Sequence, residues 1–133
     1  MAAGPLGGDR ERQPVRVADA RGKETFWHST AHILGAALEG EFSAQLTHGP
    51  PTDTGFFYDS WMGGSPFAEA LKTQTEKRVM KIAGEKQAFE RVVVTKAEAE
   101  ALFAQNPFKL AIIKAKLPDG AAPTVYRSGP AAA

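Results

Sequence analysis

The sequence contains no cysteine, and that one absence excludes a disulfide framework, a thiolate zinc site and a thiol nucleophile together. It also has no run near the ~18 consecutive apolar residues that a membrane-crossing helix needs, and no hydrophobic segment of secretory type near its start. Charge of one sign is missing as well: 16 Lys and Arg stand against 15 Asp and Glu, a formal net charge of +1. No global field draws such a chain to a polyanion, so contact with RNA has to be local, and neither DNA nor a membrane is an expected partner. The expected compartment is the cytoplasm. A mitochondrial or plastid address is the alternative, because Arg10, Arg12, Arg16 and Arg21 lie near the start, although Asp9, Glu11 and Asp19 interrupt them.

What is present suits one folded domain. With 43% of its 133 residues apolar, a chain of this size buries roughly two thirds of its unfolded surface and can hold a core without staple or metal. Residues 1–22 are rich in Gly, Pro, Ala and Arg without an apolar period, and are expected to form a disordered tail. The folded region is expected over 23–130, with 131–133 as a second tail. From Phe26 to Phe42 the residues Trp27, Ala31, Leu34 and Leu38 recur at helical steps and predict one buried helix face. Phe56-Phe57-Tyr58 reads as a strand reached through a turn, and Ser65-Pro66 as the cap and first position of a second helix striped by Phe67, Leu71, Thr75, Val79 and Ile82, with Gly84 at its end. Phe89 to Val94 predicts a strand, Thr95-Lys96-Ala97-Glu98 a capping box, Asn106-Pro107 another helix start, Pro118-Asp119-Gly120 a turn, and Thr124-Val125-Tyr126 a final strand. Helices and strands alternate without repeated βαβ units, which favours an α+β fold with helices packed on a mostly antiparallel sheet.

Two of the three histidines, His28 and His32, stand four apart on the first predicted helix, so they face the same space one turn from each other. Gly35, one turn on, has no side chain to block a ligand lying there. Such a pair can orient a water and exchange protons near neutral pH, or it can be two partly buried helix histidines satisfied by backbone carbonyls. A zinc hydrolase of the H-E-x-x-H kind needs a glutamate inside the pair. Here the inner residues are Ser29, Thr30 and Ala31, and no metal is expected.

The wording of the sequence adds to its periodicities. Phe26-Trp27-His28-Ser29-Thr30-Ala31-His32-Ile33-Leu34-Gly35 resembles the opening of the editing domain, the second N-terminal domain, of the class II threonyl-tRNA synthetases. Gly49-Pro50-Pro51 followed by Gly55-Phe56-Phe57-Tyr58-Asp59 resembles that family's next signature. Lys86-Gln87-Ala88-Phe89-Glu90-Arg91, Asn106-Pro107-Phe108-Lys109-Leu110 and Thr124-Val125-Tyr126-Arg127-Ser128-Gly129-Pro130 follow in the family's order. The resemblance implies the fold of the threonyl- and alanyl-tRNA synthetase editing domains. It implies a pocket in which the ester of a mischarged Ser-tRNA(Thr) is hydrolysed, with His28, His32 and Lys109 catalytic and Tyr58 lining. The tRNA(Thr) 3′ end is then the expected partner, with a synthetase chain as a second candidate.

The family pattern runs on into Asp-Leu-Cys-x-Gly-Pro-His, whose Cys and His complete the pocket, whereas this sequence ends in Pro130 and three alanines. Ser128 stands where the family commonly has Cys after Tyr-Arg. The ATP and zinc of the family belong to its aminoacylation domain, so no cofactor is expected here. The expectation is a fragment of a synthetase that is inactive in editing by itself. The alternatives are a noncatalytic relic binding tRNA acceptor ends or a synthetase partner, and a free-standing editing enzyme of the alanyl type, whose Cys-containing zinc site the missing cysteines disfavour.

Overall fold

A computed structural model describes residues 14–129. Its central element is helix α1 (Ala20–Phe42), 23 residues long. The helix starts before Phe26 because the chain turns on itself just ahead of it: Asp19 accepts the Arg16 N–H on its carboxylate at 3.0 Å, and its carbonyl accepts the Lys23 N–H at 2.8 Å. Residues 20–22, assigned to a tail by composition, therefore belong to the helix, while the rest of that expectation over 1–13, and that for 131–133, lie outside the described residues. At the other end Ser43 adopts φ 50° and returns its N–H to Glu39 O at 3.0 Å, closing the last turn. The buried face is Ala31, Gly35, Ala37 and Leu38, with Trp27 and Leu34 half-buried.

After α1 the chain forms short strands: β1 (Gln45–Leu46), β2 (Pro51–Thr52), β3 (Gly55–Phe56) and β4 (Ser60–Trp61). β1 pairs antiparallel with β4 and β2 with β3. Only Phe56 of the predicted Phe56-Phe57-Tyr58 strand lies in regular pairing. Bonds from Thr47 N–H to Asp59 O at 2.9 Å and from Asp59 N–H to His48 O at 2.8 Å nevertheless extend the β1–β4 pairing to Asp59, the residue after Tyr58.

Helix α2 (Glu69–Gly84) begins three residues after the predicted start. Gly63 and Gly64 turn the chain with positive φ, and Phe67 meets Phe42 edge-on with ring centroids 6.4 Å apart. That contact keeps the chain extended as far as Ala68, ψ 154°, so Ser65 never caps the helix. Thr75 and Ile82 of the predicted stripe are buried, Leu71 and Val79 partly so, and Phe67 remains exposed. α2 packs along α1, where Glu41 accepts from Gln74 Nε2 at 2.9 Å and faces Arg78 Nε at 3.5 Å.

Strand β5 (Phe89–Val93) and strand β6 (Thr124–Ser128) form an antiparallel ribbon in which Phe89 faces Ser128 and Val93 faces Thr124. Between them run α3 (Lys96–Leu102) and α4 (Pro107–Lys116). The capping box forms as its spacing predicts, with Glu98 N–H on Thr95 Oγ1 at 3.2 Å and Thr95 N–H on Glu98 Oε2 at 2.7 Å. Asn106 caps α4 through the Lys109 N–H at 3.0 Å, and its Nδ2 donates to Leu46 O at 2.7 Å. One side chain thus starts the helix that carries Lys109 and ties it to β1.

The architecture is α+β, four helices with antiparallel pairing throughout. In place of a single sheet, the described residues hold three two-stranded ribbons: β1–β4 and β2–β3 pack on α1, and β5–β6 meets it at His32 through Phe89 and Tyr126. The central core is small: Leu38, Ala44 and Leu46, with Leu34, Phe42, Tyr58 and Met62 packed around them. Among the described residues no helix is long and apolar enough to cross a membrane.

Candidate functional site

The i, i+4 spacing on α1 brings the His28 and His32 rings to a centroid separation of 4.9 Å. His28 is exposed and His32 half-buried, set between Phe89 of β5 at 6.1 Å and Tyr126 of β6 at 6.0 Å. Both line a cleft of about 640 Å³ between α1, β6 and the start of α4. Lys109 reaches the same cleft, its Nζ 4.7 Å from the centroid of the Phe103 ring, and Tyr58 forms part of the wall. Four of the five residues singled out in the sequence therefore meet in one place.

Gly35 does something else. It is buried, and a Cβ there would stand 2.8 Å from Tyr58 Cε2 and 3.0 Å from Leu46 Cδ1. The space beside it, expected to be open to a ligand, is filled by the Tyr58 ring, so Gly35 shapes the cleft by letting Tyr58 lie against α1.

Sequence reasoning missed Glu39. It lines the cleft too, and its signal was present: seven residues after His32 is two helical turns, within about 20° of the same direction. From β6, Tyr126, Arg127 and Ser128 also contribute. Two other hollows lack a histidine: one of about 380 Å³ lined by Arg21, Lys23, Glu24 and Asp53, and an apolar one of about 350 Å³ between α1 and α2 that includes Lys72 and Glu76. Among the described residues no three His, Asp or Glu side chains are grouped to hold a metal ion.

The cleft shifts the protonation of its members. Burial first, then the charges of His28 and Lys109, hold His32 below the usual imidazole value. Burial pushes Lys109 below the usual lysine value, and the Glu39 carboxylate works against that fall. Burial, reinforced by Glu39, raises the Tyr58 phenol. His32 is therefore neutral near neutral pH, able to accept a proton from a bound water. Lys109 is a donor set to meet developing negative charge.

A depressed histidine pKa means that the unfolded chain takes up the proton first. The contribution of His32 to stability is complete above 6.5 and is lost as pH falls through 6.5 toward the folded-state value. Imidazole ¹H–¹⁵N spectra are expected to show His32 titrating below 6.5, moving upward but not fully back in His28→Gln and in Lys109→Met, since burial remains. A midpoint at or above the ordinary value in the unaltered chain would refute the assignment.

No protein-family model matches the chain. Comparison with individual proteins is informative, and the matches are aminoacyl-tRNA ligases. The sequence is 41% identical over 128 residues to the mitochondrial threonine–tRNA ligase 1 of Arabidopsis thaliana, a match that covers 95% of this chain and 18% of the relative. It is 40% identical over 121 residues to the cytoplasmic threonine–tRNA ligase of Saccharomyces cerevisiae, covering 81% of the chain and 16% of the relative. To the human cytoplasmic threonine–tRNA ligase 1 it is 36% identical over 126 residues, covering 95% of the chain and 17% of the relative. The chain is a homologue of one segment of the threonine–tRNA ligases, and it spans less than a fifth of the length of these relatives. They include both cytoplasmic and mitochondrial enzymes.

Proposed function

We propose that the cleft is an aminoacyl-ester site of the proofreading kind, receiving the 3′ end of a tRNA(Thr) that carries serine in place of threonine. The observation that carries this reading is the convergence of His28, His32 and Lys109, from two helices far apart in the chain, on one cleft wall. Homology to threonine–tRNA ligases supports the choice of substrate.

An aminoacyl ester is already activated, so its hydrolysis calls for a placed water, a proton acceptor and stabilisation of the tetrahedral oxyanion. His32 takes a proton from the water as its oxygen bonds to the ester carbon, and Lys109 faces the oxyanion. The carbon–oxygen ester bond then breaks, and the proton passes to the departing ribose oxygen, leaving serine and a tRNA with a free hydroxyl. No metal or cofactor enters this scheme. The need for it is energetic: one methyl separates threonine from serine, worth only about 1–3 kcal/mol in a binding pocket, too little for faithful selection in one step.

The test uses the 3′-seryl and 3′-threonyl amides of 3′-aminoadenosine, which resist hydrolysis. The seryl compound is expected to shift the His28 and His32 imidazole signals saturably and to bind roughly 10-fold or more tightly than the threonyl compound. Absence of a saturable shift would overturn the proposal. Release of serine from Ser-tRNA(Thr) then separates two forms of the reading: turnover above buffer marks a hydrolase, and saturable binding without turnover marks a chain that only holds acceptor ends.

A further inference from the structure

An aminoacyl ester carries, one carbon from the carbonyl under attack, a free α-ammonium. The other titratable side chains lining the cleft bring no carboxylate to receive it: His28 and His32 are imidazoles, Lys109 and Arg127 carry cationic groups, and Tyr58 and Tyr126 are phenols. Glu39 is the only carboxylate among the lining residues. Other acids around the fold are committed to partners, Glu41 to Arg78, Glu90 to Arg127 and Asp119 to Lys96. Glu39 makes no ion pair among the described residues.

We propose that Glu39 is the ammonium subsite of this cleft, holding the α-amino group of the bound aminoacyl ester while its carbonyl lies toward His32 and Lys109. The inference rests on the reading of the cleft as an aminoacyl-ester site and adds the residue that recognises the amino acid's charge. Seven residues at 1.5 Å each put Glu39 about 10.5 Å beyond His32 along α1, on the same face. A water, the ester carbon, the α-carbon and the ammonium laid end to end, with a hydrogen bond at each end, fill a comparable span. Lys109 lines the same cleft from α4. The cleft thus offers an ammonium donor to the oxyanion and a carboxylate to the positive end of the substrate. One carboxylate in the lining also offsets the repulsion that a cationic ligand would meet from Lys109.

The experiment pairs the seryl amide of 3′-aminoadenosine with the glyceryl amide, in which a hydroxyl replaces the α-ammonium, at a pH below about 7 so that the α-amino group is protonated. The unaltered chain is expected to bind the seryl compound roughly 10-fold more tightly, the scale of a charge-assisted hydrogen bond. In Glu39→Gln the seryl compound is expected to fall to the level of the glyceryl one, whose own binding is unchanged and reports an intact fold. Equal weakening of both compounds in Glu39→Gln, or weakening of neither, would overturn the subsite. If the unaltered chain binds both equally, the subsite alone fails. If it binds neither, the aminoacyl-ester reading fails and the subsite falls with it.

Discussion

Replacing Leu38 with alanine is expected to lower the stability of the chain by about 2–5 kcal/mol and to shift its urea midpoint further than any other core truncation. Leu38 is 5% exposed and lies at the centre of the core with Ala44 and Leu46. Among the described residues four of the seven buried apolar ones are alanines, leaving Leu38, Leu46 and Ile82 as the large ones, and none of the large side chains described is fully enclosed. Alanines at the contacts bring the elements close but contribute little transfer free energy, so the burden falls on three side chains. A domain holds about 5–15 kcal/mol of net stability, and one whose core is this sparse lies toward the bottom of that range. Removing three carbons from Leu38 consumes much of it. Met80→Ala is the control: at 71% exposure it is expected to fall within about 0.5 kcal/mol of the unaltered chain. If the two variants unfold at the same urea concentration, the core does not lie where α1 meets β1.

The same sparseness explains which parts of the fold could be read in advance. Elements whose determinants are local were legible. Thr95 and Glu98 are three residues apart and cap as their spacing requires, Asn106-Pro107 opens α4, and Gly120 takes the positive φ of the turn after Pro118. Helix α1 announces itself by a stripe, Trp27 to Leu38, sustained over about three turns. Where the deciding contact is distant, local signals misled. Ser65-Pro66 has the chemistry of a helix start, but the meeting of Phe67 with Phe42, 25 residues earlier, holds the chain extended past it. Strands of two residues have no period to detect, and their arrangement in three ribbons depends on partners that a window of sequence does not contain.

The cleft divides along the same line. The shared direction of His28 and His32 follows from helix geometry alone. Glu39 follows from the same arithmetic, seven residues and two helical turns after His32. Lys109 was named only through family resemblance. Its route into the cleft depends on Asn106 binding Leu46 O, 60 residues away, which no local pattern encodes. Gly35 was read as an opening because its neighbour in space, Tyr58, is 23 positions on.

That neighbour makes Gly49→Ala the substitution expected to link stability to the shape of the cleft. The Tyr58 ring lies against Gly35 on one side and against Gly49 on another, and a Cβ on Gly49 would press on Cδ2 and Cε2 and stand 2.8 Å from Cγ. Cγ is the root of the ring, so turning the ring cannot relieve the overlap. The backbone cannot yield cheaply either, since the bonds between Asp59 and residues 47 and 48 fix the two segments beside each other. The expected cost is about 1–3 kcal/mol. Gly35→Ala is expected to cost less, because alanine in a helix interior recovers up to about 1 kcal/mol of propensity and the overlap there is with the ring edge and a leucine methyl. Tyr58→Ala separates overpacking from other effects of the new methyl. With the ring removed, the three atoms nearest the added Cβ are gone, so Gly49→Ala/Tyr58→Ala is expected to melt in urea where Tyr58→Ala alone does. Costs that simply add would show that Gly49 is constrained by something other than the ring, and that Tyr58 is not wedged into the cleft wall from this side.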